Sequence, residues 1–124
     1  MGKFMIRSVP TGVKFDLAAG NGSIIATSEV YETLAACRRG IASVRKNAEK
    51  ANLEDLTEAG ASAGNPKFQL YKDRAGEFRF RLTARNGNVI AVSEGYHSKA
   101  ACLDGIASVR ENAPAAGETE VNNP

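Results

Sequence analysis

The sequence predicts an α+β fold of two tandem β-β-β-α repeats, with an antiparallel sheet, helices packed on one side and pseudo-twofold symmetry. Three observations predict this fold. Long stretches of the second half repeat the first half. In each half, segments that alternate between apolar and polar residues are joined by short turn signals, as in antiparallel hairpins. An alanine-rich segment with apolar residues at helical spacing then follows the third of these segments.

The repeat is visible when the two halves are aligned. Residues 21–29, NGSIIATSE, match residues 86–94, NGNVIAVSE, at an offset of 65, and the run GIASVR occupies both 40–45 and 105–110. The offset is 64 at the front of each copy, so the second copy has gained one residue shortly before Phe80. Chance does not produce matches of this length, and we interpret the chain as an internal duplication.

The three strands are clearest in the second copy. Residues 67–71 alternate, and 73–76 form a hairpin loop that ends in glycine. Residues 78–84 alternate strictly, with phenylalanine and leucine on one face and arginine on the other. An Asn-Gly pair at 86–87 favours a type I′ turn, and residues 89–93 are rich in β-branched and apolar side chains. The first copy follows the same scheme.

Each predicted helix begins at a hydroxyl side chain, Thr33 in the first copy and Ser98 in the second, which is typical of an N-cap. The apolar stripe of each helix runs through matching positions, namely 37, 41 and 44 in the first and 102, 106 and 109 in the second. Gly40 and Gly105 lie on this stripe. Because glycine inside a helix costs about 1 kcal/mol relative to alanine, we expect both to be buried where another element approaches closely.

Charge and composition divide the chain into four segments. We predict a first repeat at 1–48, an acidic linker at 49–66, a second repeat at 67–113 and a disordered polar tail at 114–124. The linker and tail offer little to bury, so we expect both to be mobile. A repeat of this size is marginally stable alone, which favours two repeats that share apolar surface.

The composition disfavours several classes of function. No apolar run approaches the roughly 20 residues that a membrane span needs, and the early polar residues predict no signal peptide, so we expect a cytoplasmic protein. Cys37 and Cys102 stand singly on the apolar helix stripes, where we predict buried structural thiols. His97 is the only histidine. The sequence therefore predicts no metal site, no cofactor and no enzymatic activity.

The first candidate site is the sheet face opposite Phe80. Strand alternation places Arg79 and Arg81 on that face, beside Tyr71 of the neighbouring strand. Two arginines next to a tyrosine can pair with and stack on a nucleic acid strand or bind an acidic partner. The alternative interpretation is an ordinary solvated strand face.

The second candidate site is a Ser-Glu-x-Tyr element that occurs in both copies between the third strand and the helix. It places Glu29 and Tyr31 in the first copy and Glu94 and Tyr96 in the second. Such junctions often carry functional residues, so a small ligand or a reaction at this element is one hypothesis. The structural alternative is that the glutamate complements the helix dipole and the tyrosine fastens the helix start to the sheet.

The second copy resembles the YegP-like family of small bacterial proteins, a domain of unknown function found singly or in tandem. The resemblance covers nearly all of 67–113 and rests on five segments, 68–73, 76–82, 86–87, 93–96 and 105–109. The first copy departs from the pattern, with Lys14 and Asp16 at the places of Arg79 and Arg81. The resemblance implies an antiparallel sheet with helices packed on it and dimer-like association of the repeats. It implies no activity.

The function that these observations favour is a non-enzymatic binding or interaction module, which could bind a protein partner or associate with itself. A nucleic-acid-associated protein that uses the basic sheet face is the first alternative. A small-ligand binder or enzyme at the Ser-Glu-x-Tyr junctions is the second. The sequence identifies no ligand or partner.

Overall fold

The computed structural model describes residues 2–121. This range contains eight strands, two α-helices and one short 3₁₀ helix, in the order β1 Lys3–Val9, β2 Gly12–Ala18, β3 Ile24–Thr27, α1 Leu34–Ala48, β4 Asn52–Asp55, β5 Lys67–Lys72, β6 Phe78–Thr83, β7 Val89–Val92, α2 Lys99–Asn112, the 3₁₀ helix Ala113–Ala115 and β8 Gly117–Val121. Neither α-helix in this range is both long and apolar enough to cross a membrane.

All eight strands form one sheet, in the order β4-β5-β6-β7-β3-β2-β1-β8. The strands within each predicted repeat are antiparallel, as expected. The repeats meet at the centre of the sheet, where β3 and β7 pair antiparallel through Thr27 and Val92. Counted inward from either edge, the sheet therefore has the same order: an edge strand, then the first, second and third strands of one repeat. The predicted α+β class is confirmed.

Local sequence signals act as expected at the turns and helix starts. The Thr33 and Ser98 hydroxyls each accept a hydrogen bond of 3.1 Å from the backbone N–H three residues later. Gly22 and Gly87, in the two Asn-Gly turns, both have φ of +88°, a conformation that glycine adopts without steric cost. Short-range chemistry thus determines where these hairpins turn and where the helices begin.

The segment predicted as a mobile linker contains an edge strand. β4 pairs in parallel with β5, with Leu53 opposite Phe68 and Glu54 opposite Gln69. The pairing satisfies backbone groups that β5 would otherwise leave open at the edge of the sheet. Residues 52–55 of the predicted linker therefore form a hydrogen-bonded strand rather than a connection without regular structure. A four-residue strand with polar side chains has too little alternation to be recognised by its sequence pattern.

The segment predicted as a disordered tail also contains an edge strand. β8 pairs in parallel with β1, with Glu118 opposite Phe4 and Glu120 opposite Ile6. The prediction of disorder is wrong for residues 114–115, which end the 3₁₀ helix, and for residues 117–121. The open edge of β1 provides backbone partners for β8, and α1 provides arginines for its two glutamates. Residues 122–124 lie outside the described range.

Each repeat completes the sheet of the other. β4 follows the helix of the first repeat but pairs with the first strand of the second, and β8 does the reverse. The helices also cross between repeats, since α1 contacts β2 together with β6 and β7, and α2 contacts β5 and β6 together with β3. Both helices therefore lie on the same face of the sheet.

One apolar cluster fills the space between the sheet and the two helices. Four phenylalanines at its centre are fully buried, in two edge-to-face pairs, Phe4 with Phe15 and Phe68 with Phe80. Cys37 and Cys102 are free thiols in the same cluster, so they are packed in the core as predicted. Because both repeats contribute to this cluster, separating them would expose its interior to water.

Two arginines at matching positions of the helices, Arg45 in α1 and Arg110 in α2, connect each helix to the other repeat. Arg45 of α1 lies over the Phe4 ring and donates a 2.7 Å hydrogen bond to the carbonyl of Ala116, just before β8. Arg110 of α2 lies over the Phe68 ring and donates a 3.2 Å hydrogen bond to the carbonyl of Ala48. Arg45 thus binds the residue just before β8, and Arg110 binds the C-terminal end of α1.

Candidate functional site

The serine of each Ser-Glu-x-Tyr element anchors the junction between strand and helix. The buried Ser28 hydroxyl accepts a 2.9 Å hydrogen bond from the backbone N–H of Phe15 and donates one of 2.7 Å to the carbonyl of Glu29. Ser93 repeats the arrangement with Phe80 and Glu94. These bonds satisfy the serine within the fold, so its contribution is to position the next three residues.

The tyrosine of the element joins the sheet to the helix. In the first repeat the backbone of Tyr31 exchanges two hydrogen bonds with Val13, and its ring stacks on Phe15 with centroids 6.3 Å apart. The hydroxyl oxygen lies so close to Gly40 that a Cβ there would overlap it. Gly40 is buried, as predicted, and the group that approaches it most closely is this tyrosine.

The second repeat has the same contacts. Tyr96 stacks on Phe80 at 6.4 Å, and its hydroxyl lies against the buried Gly105. The structural interpretation of the tyrosines is therefore supported. Burial is the main cause that raises the pKa of both hydroxyls, with a contribution from the charge of the neighbouring Glu29 or Glu94. Both phenols accordingly stay protonated at neutral pH.

The first cleft lies beside Tyr31 and is built from both repeats. The first repeat contributes Glu29, Tyr31 and the α1 residues Arg39 and Ser43, and the second repeat contributes its Asn-Gly hairpin, residues 84–90. Its volume is about 670 Å³, within the range of small-molecule sites. The exposed Glu29 carboxylate and the Tyr31 hydroxyl thus share a concave surface that neither repeat forms alone.

The second cleft is built from the equivalent residues with the roles of the repeats exchanged. Glu94, Tyr96, Asp104 and Ser108 line it from the second repeat, and the first Asn-Gly hairpin lines it from the first repeat. Its volume is about 290 Å³. The structure therefore brings each predicted Glu-Tyr pair together with a hairpin from the other repeat, in two separate sites.

The arginines predicted on the sheet face are bonded within the protein. Arg79 lies 2.6 Å from the Asp73 carboxylate and donates a hydrogen bond of 3.3 Å to the carbonyl of Ser93. Arg81 donates a 2.7 Å bond to Gln69 and lies over the Tyr71 ring at 4.4 Å. The face has the predicted arginines and tyrosine side by side, but their hydrogen-bonding and stacking groups are already partly used.

Several lining residues could not be assigned to a site from the sequence. Nothing in the sequence distinguishes Arg39 and Ser43 from other residues of the predicted helix, and Asn86 is marked there only as a turn former. Their relevance follows from the contact of α1 with the hairpin of the other repeat, which is a long-range feature. The recurrence of Ser43 and Asn86 as Ser108 and Asn21 was the one available signal.

Comparison with known proteins agrees with this architecture. The family model of the domain of unknown function DUF1508 matches twice, at residues 12–55 and 73–120. A UPF0339 protein of Bordetella pertussis is 42% identical over 116 residues, covering 93% of this chain and 91% of the relative. A UPF0339 protein of Treponema denticola is 64% identical over 55 residues, which are 44% of this chain but 95% of the relative.

The fold also matches a solved structure. The solution NMR structure of the Escherichia coli protein of unknown function yegP superposes with a TM-score of 0.79 at 28% identity, covering 99% of this chain and 95% of that one. The resemblance noted in the second copy is thereby confirmed, and both family matches extend into β4 and β8. The chain belongs to the DUF1508 family, also called UPF0339, whose function is unknown.

Proposed function

We propose that this protein is a non-enzymatic binding module whose binding sites are the first and second clefts. One observation carries the proposal: the same set of positions lines a concavity twice, and each concavity requires residues from both repeats. Because each cleft needs residues from both repeats, a chain whose two repeats pack together in this way retains both clefts. Concave surfaces with a few convergent polar groups are where small ligands usually bind.

The chemistry of the clefts supports binding rather than catalysis. Tyr31 and Tyr96 have pKa values raised by burial, which moves them away from the range where a phenol exchanges protons readily at neutral pH. Ser28 and Ser93 use their hydroxyls in backbone hydrogen bonds, so they are poor candidates for nucleophiles. The remaining polar groups are suited to hydrogen bonding with a ligand.

Nucleic acid binding at Arg79, Arg81 and Tyr71 remains the alternative prediction. The bonds of Arg79 to Asp73 and of Arg81 to Gln69 would have to be given up or shared when phosphates bind. The clefts require no such exchange, and we therefore favour them. A cytoplasmic location likewise remains a prediction from the sequence.

The proposal is tested by mapping ligand binding onto amide NMR signals. The full chain is titrated with a panel of amino acids, nucleotides, sugar phosphates and carboxylic acids. We expect saturable shifts at residues 29–31, 39–43 and 84–90, or at the equivalent positions of the other repeat. Ser43→Tyr should block the first cleft and Ser108→Tyr the second, so each variant is the control for the other. Shifts confined to β5 and β6, or shifts that neither variant changes, would contradict the proposal.

A further inference from the structure

The two clefts are alike in lining but differ in charge. Arg39 lines the first cleft, and a groove that continues from it past Ser43 and Asn86 adds Lys46 and Arg85. The matching positions in the other repeat carry no positive charge; they are Asp104, Glu111 and Gly20. The same backbone scaffold therefore surrounds a basic concavity on one side of the molecule and an acidic one on the other.

The three cations of the first cleft and its groove are not neutralised by the fold. Arg39, Lys46 and Arg85 form no ion pair with any part of residues 2–121. By contrast, Arg38 and Arg45 of the same helix pair with glutamates of β8. Positive charges gathered around a concavity attract anions, and here the lining includes a single carboxylate, at Glu29.

The neutral side chains of the first cleft have hydrogen-bond donors to offer. Ser43 Oγ accepts a 3.1 Å bond from the Asn47 amide, which leaves the serine proton for another acceptor. Asn86 Oδ1 accepts a bond from the backbone N–H of Asn88, which leaves the Asn86 amide hydrogens. Burial raises the pKa of Tyr31, whose hydroxyl therefore retains its proton. Donors of this kind, next to cations, are the groups that phosphate and carboxylate oxygens select.

Size and aromatic content indicate which anion fits. The first cleft holds about 670 Å³ and its groove about 470 Å³, more than a single phosphate would fill. Tyr31 is the only aromatic residue in either lining, and its ring is already stacked on Phe15. A nucleic acid strand gains much of its affinity from successive bases stacked on several aromatic side chains, and this lining offers a single tyrosine with one ring face already occupied.

We propose that the first cleft and its groove bind a small ligand with two or more phosphate or carboxylate groups, and that the second cleft does not. This inference rests on the proposed function and names the ligand class of one of its two sites. Arg39, Lys46 and Arg85 supply the charge, while Ser43 and Asn86 supply oriented donors. The acidic second cleft, with Asp104 in place of Arg39, repels the same ligand.

The test uses the full chain, with inorganic tripolyphosphate and citrate as probes and amide NMR shifts as the readout. We expect saturable shifts at residues 29–31, 39–46 and 84–88. The double change Arg39→Asp with Lys46→Glu should weaken binding about tenfold or more, because two charge-assisted contacts are lost. The matched control is Lys72→Glu with Arg74→Asp, which makes the same change in net charge at the opposite end of β6.

Each contrary outcome is distinct. An equal loss of affinity in the control would show diffuse attraction by net charge and overturn the inference. Tighter binding of a single-stranded oligonucleotide, with shifts that spread over the sheet, would assign the surface to nucleic acid instead. If neither probe binds but neutral or cationic compounds shift the same amides, the proposed binding function is retained and the proposed anionic ligand class is refuted. If no compound shifts these amides, both proposals fall.

Discussion

Gly105 and Tyr96 form one of the two contacts that fasten a helix to the sheet at the clefts. A Cβ at Gly105 would overlap the Tyr96 hydroxyl oxygen and come within 3.1 Å of Phe80. The tyrosine cannot move aside freely, since its backbone is bonded to Phe78 and its ring is stacked on Phe80. The presence of glycine at an unfavourable helix position therefore has a steric cause.

This contact yields a stability prediction. Gly105→Leu should destabilise the protein by about 1–3 kcal/mol, because the larger side chain overpacks the space beneath Tyr96. The matched control is Ala107→Leu, on the exposed side of the same helix, which should stay within about 0.5 kcal/mol of the wild type. Urea denaturation measures both. A neutral Gly105→Leu would mean that the tyrosine does not pack against this helix.

At the scale of elements, β4 is fastened to the sheet by one buried carboxylate. Glu54 accepts hydrogen bonds of 2.7 Å from Gln69 and 2.9 Å from both Lys67 and the Ala63 N–H. These bonds, that from Gln69 foremost, lower the pKa of Glu54 from 4.5 to about 2. The ionised form of Glu54 is thus favoured in the folded state. The polar side chains that kept β4 from being recognised in the sequence are therefore the ones that bind it to the sheet.

The lowered pKa sets the direction of a pH effect. The folded state holds the Glu54 proton less tightly than the unfolded chain, so the stabilisation is complete above pH 4.5 and is lost as the pH falls towards 2. Glu54→Gln should lack this part of the acid destabilisation and show a flatter dependence over that interval. Glu32→Gln, at an exposed residue, should follow the wild type. Parallel curves for all three proteins, from urea midpoints across the interval, would refute the role of Glu54.

The elements differ in how well sequence could predict them. β2, β6, both Asn-Gly turns and both N-caps follow from residues close together in the chain, and these were predicted. β4 and β8 depend on partners in the other repeat: Glu118 is placed by Phe4 and by two arginines of α1. The clefts depend on the same long-range contacts, because Tyr31 and Asn86 meet only after the repeats interlock. Such long-range pairings cannot be predicted from the local periodicity of the sequence.

At the scale of the whole molecule, the two repeats act as interlocked halves. Each repeat supplies the other with an edge strand, with an arginine that donates a hydrogen bond to a backbone carbonyl of the other repeat, and with one wall of a cleft. The relative from Treponema denticola has about the length of one repeat, so it can form the same arrangement only by pairing with a second chain. The duplication has let the two clefts diverge in charge, which two identical chains cannot do.

The central claim, that neither half is complete without the other, is tested most directly by the mass of one repeat in solution. Residues 65–121 contain α2 and β8 but lack β1, the strand with which β8 pairs. In a homodimer, β5 of each copy would take the place of β1 for the other. We therefore predict that light scattering on this fragment gives the mass of a dimer, with unfolding on dilution. A folded monomer at all concentrations would contradict the interlocked account.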